Sequence, residues 1–252
     1  MTTSRTVDGP AGPRNVTIYG IPVLDGTVVL VHPINSAAAV WEHASAVSRR
    51  PTVVLDLRGH GGSATQGPFT VQGGYVDDVV AVLDALGRLG RLHLAGGSLG
   101  GSISLAVAAL HSERVLGVVT FGCTGVPTEA IDTVVAGLEE MGTAGYFAEP
   151  MPDVVGTAYR AGQRVLDGTR SAAGDRPESV VAAIRYGALG ADIRHLVGKV
   201  AVPVFAATGT EDPTCPPAMT EEIAAATGAS PLLLDGVGQV DVSVRVGAGA
   251  GR

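Results

Sequence analysis

A serine lies between two glycine pairs in Gly96-Gly97-Ser98-Leu99-Gly100-Gly101, with the apolar run Leu92-His93-Leu94-Ala95 before it and the uncharged stretch Ile103 to Leu110 after it. A strand that turns sharply into a helix produces this pattern. Side chains flanking the serine would meet the backbone as it reverses, so glycines stand there. Such a turn lifts the hydroxyl above a sheet and points the first N–H groups of the helix at whatever binds beside it. The chemistry on offer is nucleophilic attack by Ser98. A plainer alternative is a glycine-rich turn whose serine merely caps the next helix.

Four further pieces carry polar groups at the ends of apolar runs. Val29 to Asn35 reads VLVHPIN, Asp56 to Gly62 reads DLRGHGG, Val202 to Pro217 reads VPVFAATGTEDPTCPP, and Leu232 to Gln239 reads LLLDGVGQ. Asp212 follows an apolar strand and Gly209, although Asp-Pro is also a common turn starter. His32 precedes a proline turn that it is expected to brace, with a proton-carrying role as the alternative. His60 reads as structural, His93 as packed within a strand, and His43, His111 and His195 fall on helices or their ends. Asn35 either faces the site or holds its loop. Cys123 and Cys215 form no close metal-like pair and read as small buried hydrophobes.

Positioning these groups requires strands that end together. Short β-rich runs are expected at Val16 to Tyr19, Thr27 to Val31, Thr52 to Leu55, Leu92 to Ala95, Val115 to Phe121, Val202 to Ala207 and Pro231 to Leu234. Several are continuously apolar, as strands covered on both faces must be. Between them Val76, Val79, Val80, Leu83 and Leu86 follow helical spacing, and Gly87 stands where a helix C-terminus wants glycine. The alternation predicts an α/β fold, a mainly parallel sheet with helices on both faces. From about Gly125 the strand signal gives way to helical patterns, including Ile131, Val134, Val135 and Leu138. The expected organisation is a core in two parts, 1–124 and 197–252, with a helical cap, 125–196, inserted over the sheet.

The chain of 252 residues is long enough for a full α/β core. A net charge of −7 and a single lysine, Lys199, leave no basic face for nucleic acid or an anionic membrane, so a small molecule is the expected partner. No signal-peptide core appears in Met1 to Pro10, which predicts a cytoplasmic protein. Leu92 to Leu110 is uncharged but reads as strand, turn and buried helix rather than a membrane span. No metal or cofactor site is read, and the oligomeric state is not legible.

The ordered pieces from Thr27 to Gln239 resemble the α/β-hydrolase superfamily, especially its small capped esterases and enol-lactonases. That resemblance implies an α/β-hydrolase fold in which Ser98 is the nucleophile, Asp212 the acid, and the N–H groups of Leu99 and Ile34 form the oxyanion hole, with His32, Asn35 and Gln239 lining the site. Two departures stand out. Pro33 replaces the usual glycine after His32, and Gln239 stands where the resemblance leads one to expect the catalytic histidine; glutamine cannot take a proton from serine near neutral pH. After it, Val240, Val242, Val244 and Val246 alternate with other residues, a period that suits a strand where the family has a helix. A frameshifted or rearranged C-terminus would account for both the missing histidine and the missing helix. The expected function is hydrolysis of a small ester or lactone through Ser98 with an atypical or incomplete triad. The alternatives are a non-hydrolytic lyase or cyclase that eliminates an acyloxy group in specialised metabolism, and a catalytically silent small-molecule-binding protein.

Overall fold

The computed structural model describes residues 1–87, 90–123, 125, 136–137, 139–142, 157 and 176–239. Eight strands form one sheet: β1 (Thr2–Gly9), β2 (Gly12–Tyr19), β3 (Val28–Val31), β4 (Thr52–Leu55), β5 (Leu92–Gly97), β6 (Val115–Phe121), β7 (Val204–Gly209) and β8 (Pro231–Leu234). Their order is β1-β2-β4-β3-β5-β6-β7-β8. β2 runs antiparallel to β1 and β4, and every other pair is parallel.

Parallel strands need crossovers, and the apolar periodicity supplies them. α1 (Glu42–Val47) lies between β3 and β4, α2 (Val76–Ala85) between β4 and β5, α3 (Leu99–Leu110) between β5 and β6, and α6 (Pro217–Thr227) between β7 and β8. α4 (Glu178–Leu189) and α5 (Arg194–Val197) precede β7. Alternate residues of the central strands enter two cores, so the sheet is covered on both faces. Val29, Val31, Val53, Leu55 and Leu94 pack with Val76 and Val79 of α2 and Ile103 of α3. Leu30, Val54 and Ala95 pack on the opposite side with Ala38 and Trp41.

The central strands match the expected runs closely, and Gly87 adopts φ +81° just beyond α2. β2 contains the expected run Val16 to Tyr19 and starts four residues earlier, and β1 is an addition that pairs with it. β1 carries no sequence signal because TTSRTVDG is mostly solvent-exposed at the sheet edge and has no apolar face to announce it. Within the expected cap, α4 and α5 are helical; Ile131, Val134, Val135 and Leu138, like the alternating Val240 to Val246, lie outside the described residues. Among the described residues no helix is long and apolar enough to cross a membrane.

Candidate active site

Gly96 and Gly100 make the turn between β5 and α3 possible. A Cβ on Gly96 would stand 2.3 Å from the carbonyl of Gly100, and one on Gly100 would stand 2.2 Å from the carbonyl oxygen of Val31. Neither side chain could exist there, so the start of α3 lies directly against the end of β3. Between them Ser98 is driven to φ 49°, ψ −123°, a region that costs a non-glycine residue on the order of 1–3 kcal/mol. Its N–H donates to Phe121 O at 2.9 Å, tying the turn to β6. The Ser98 side chain does not cap α3.

Because α3 begins on top of β3, the turn that follows β3 is brought beside the serine. Ile34, Ser98, Leu99 and Ser102 line one cleft with Ala188 and Leu189 of α4 and with Thr214 and Cys215 of the β7–α6 loop. Leu99 opens α3, and the first N–H groups of a helix have no acceptor within it. Ser102, one helical turn beyond Ser98, was readable from its spacing. Ala188, Leu189 and Thr214 were not, since no local residue pattern marks them.

His32 is fully buried, with both ring nitrogens engaged by backbone. Nδ1 bonds Pro33 O at 2.6 Å and Nε2 accepts the Leu57 N–H at 3.0 Å. This assigns the proton to Nδ1. Burial, with a smaller contribution from the Arg176 charge, pushes its pKa down to about 4. The ring therefore clamps the turn in its neutral form. His60 repeats the device: Nε2 accepts from Asn35 N–H at 3.2 Å and Nδ1 bonds Arg58 O at 2.9 Å. Asn35, at φ 52°, is buried. With its amide oriented by the hydrogen-bond network, the oxygen accepts from Arg185 Nη2 and Nε at 2.7 and 2.9 Å.

Beneath this turn Asp56 Oδ1 accepts the Ala38 N–H at 2.7 Å, while Oδ2 accepts from Asn15 Nδ2 and Gly62 N–H. Asp78 is held by Arg58 and Arg14, all three being buried. The Asp56 and Asp78 carboxylates are thus paired, as burial demands, while Arg14 Nε is buried without a hydrogen-bond partner.

Asp212 lies in the β7–α6 loop, buried, with Oδ1 accepting the N–H groups of Thr214 at 2.9 Å and Cys215 at 2.8 Å. Desolvation outweighs these bonds and pushes its pKa up to about 7. A Cβ on Gly122 would stand 2.6 Å from Asp212 Oδ2 and 2.8 Å from Gln239 Oε1, so the two side chains converge over that glycine. Gln239 Nε2 donates to Gly122 O at 3.1 Å, and Oε1 is buried without a hydrogen-bond partner. Both cysteines are buried thiols. Desolvation pushes Cys123 up to about 12 and Cys215 well above its ordinary value.

All six histidines of the chain lie among the described residues. His32 and His60 are committed to backbone, His93 is on β5, and His111 follows α3 beside Glu113. His195 Nε2 bonds Gln72 Oε1, and His43 is exposed on α1. Among the described residues no imidazole hydrogen-bonds the Ser98 hydroxyl. Among them, too, no group of three or more metal-ligating side chains could hold a metal ion.

A strained serine between a strand and a helix, beside a turn after a neighbouring strand, is accompanied by a match of residues 28–244 to the model described as the alpha/beta hydrolase family. The chain belongs to this family. Among its relatives in sequence, it is 35% identical over 119 residues to a putative carbamate hydrolase RutD of Caulobacter segnis, covering 45% of this chain and 42% of that protein. It is 39% identical over 94 residues to the dihydrolipoyllysine-residue acetyltransferase component of an acetoin cleaving system from Pseudomonas putida, covering 35% of this chain and 24% of that one. The matches thus span well under two thirds of these relatives. Among solved structures, the enol-lactonase of Burkholderia xenovorans superposes with a TM-score of 0.86 at 23% identity, covering 97% of this chain and 96% of that one. A thermophilic esterase from Thermogutta terrifontis gives 0.82 at 22% identity, covering 98% and 96%. These two likenesses establish the fold.

Proposed function

We propose that this alpha/beta hydrolase cleaves a small ester or lactone, with Ser98 as nucleophile and the N–H groups of Leu99 and Ile34 as oxyanion donors. The backbone of Ser98 carries the reading: a buried turn holds a non-glycine residue at φ 49°, strain of the kind that gathers at functional sites. Leu99 and Ile34 line the same cleft. Each such donor is worth about 3 kcal/mol to an acyl-transfer transition state. With Gln239 in the place of a base, the proton of Ser98 passes to solvent or substrate, and the acceleration left to the oxyanion donors and binding is about 10³ to 10⁴ over water. The substrate is therefore an activated acyl compound, one that needs little help from a base.

One second reading is a non-hydrolytic elimination in which the departing acyloxy group takes the α-proton and leaves as a carboxylic acid, the enolate character of the transition state being stabilised by the same donors; it needs neither an imidazole nor an acyl-enzyme. Reaction of the protein with a fluorophosphonate, followed by intact mass and by digestion, tests the first reading. A single adduct on Ser98, lost in Ser98→Ala, is expected. No adduct under conditions that label a control esterase would remove Ser98 as a nucleophile, and product release without solvent ¹⁸O in the acid would favour elimination.

A further inference from the structure

Asp212 has two unequal oxygens. Oδ1 accepts two backbone N–H groups, from Thr214 and Cys215. Among the described residues Oδ2 accepts only from Thr208 Oγ1, at 3.5 Å, a hydroxyl whose shorter bond, at 3.0 Å, goes to Cys215 O. Across Gly122 stands Gln239 Oε1, buried and unpartnered, while the amide nitrogen of the same side chain is spent on Gly122 O. Two acceptor oxygens thus lie within 2.8 Å of one point beside Gly122, and among the described residues Gln239 Oε1 meets no donor there. Turning the Gln239 amide over gives no relief: its nitrogen would then face Asp212, but its oxygen would face the Gly122 carbonyl. One proton on Oδ2 resolves the conflict, because O–H donates where a carboxylate can only accept.

We propose that Asp212 keeps this proton and donates it to Gln239 Oε1, making a neutral carboxylic acid–amide pair where an acid–imidazole pair would carry charge. Its bearing on turnover rests on the reading of Ser98 as nucleophile given above. The pair does mechanical work. The Asp212 O–H fixes the Gln239 amide, whose Nε2 fixes the Gly122 carbonyl at 3.1 Å, and the preceding residue, Phe121, accepts the Ser98 N–H at 2.9 Å. Asp212 and Gln239 are therefore positioning residues for the serine turn.

Carbon-13 NMR of protein labelled at the aspartate side-chain carboxyl tests this directly, between pH 4 and 9. One resonance is expected to titrate near neutrality, to be missing in Asp212→Asn, and to move down by two pH units or more in Gln239→His, where an imidazole N–H would favour the carboxylate. Gln239→Leu, which removes the acceptor without supplying a donor, should change the limiting shift of the protonated form. Circular dichroism confirms that each variant is folded. A wild-type protein whose aspartates all titrate below pH 5 would overturn the proposal, as would a neutral titration indifferent to both Gln239 variants. Fluorophosphonate labelling separates the two readings. A neutral Asp212 in a protein that labels nowhere refutes the nucleophile and keeps the pair, whereas Ser98 labelling with an ionised Asp212 does the reverse.

Discussion

Replacing Asp212 by asparagine should flatten the dependence of folding stability on pH. Burial raises the Asp212 pKa from 3.8 to about 7. Below pH 3.8 the carboxyl is protonated in folded and unfolded chains alike, and it favours neither. Between that value and about 7 the unfolded chain releases the proton while the folded one retains it, so the unfolded state binds fewer protons and stability falls as pH rises. The slope from this one group is about 1.4 kcal/mol per pH unit, and the fall levels off above the folded pKa. Between pH 5 and pH 8 the wild type should lose roughly 3 kcal/mol through Asp212, of a full effect near 4 kcal/mol. Asparagine keeps an acceptor for the Thr214 and Cys215 N–H groups and offers an N–H toward Gln239, without an ionisation to oppose. Urea unfolding of both proteins across this range, read as the difference between their stabilities at each pH, isolates the group from every other titration. The variant should gain steadily on the wild type and overtake it at the alkaline end. Parallel profiles would refute the reasoning, because they would mean that Asp212 ionises as freely in the folded chain as in the unfolded one.

Gln239→His should raise the rate of 4-nitrophenyl acetate hydrolysis, since a base positioned between Asp212 and the serine turn contributes typically 10²- to 10⁴-fold; initial rates with Ser98→Ala as background check it. Gly100→Ala would set a methyl group 2.2 Å from Val31 O, and should cost about 3 kcal/mol or more on overpacking grounds while slowing fluorophosphonate labelling, both measurable on the same preparation. The His32 ring proton resonances should stay flat from pH 5.5 to 8, as its pKa of about 4 requires, and a titration near 6.5 would show that the ring is not held between Pro33 O and Leu57 N–H.

What could be read from the chain depended on whether the cause was local. The serine turn was legible because its geometry demands glycine at fixed neighbours, and Gly96 and Gly100 stand where the backbones touch. The continuous apolar runs gave the central strands for the same reason, each residue having a core to enter on one face or the other. β1 was invisible because an edge strand is satisfied by backbone pairing alone, and it pairs with β2 along its whole length. The brace made by His32 could not be read either: its partners are the carbonyl of its neighbour and an N–H twenty-five residues on. The positions Asp212 and Gln239 were identifiable by resemblance. Their convergence over Gly122 is a property of three loops meeting, to which no stretch of sequence testifies.

The backbone of Ser98 also serves as a record of selection. At φ 49°, ψ −123°, glycine would relieve strain on the order of 1–3 kcal/mol, and a single codon change can supply it. A lineage with no use for the hydroxyl would gain stability by drifting to glycine and would have no reason to return. Retention of serine at this position across related chains, together with a higher melting temperature for Ser98→Gly, would mean that the hydroxyl is being kept against a steady thermodynamic pull.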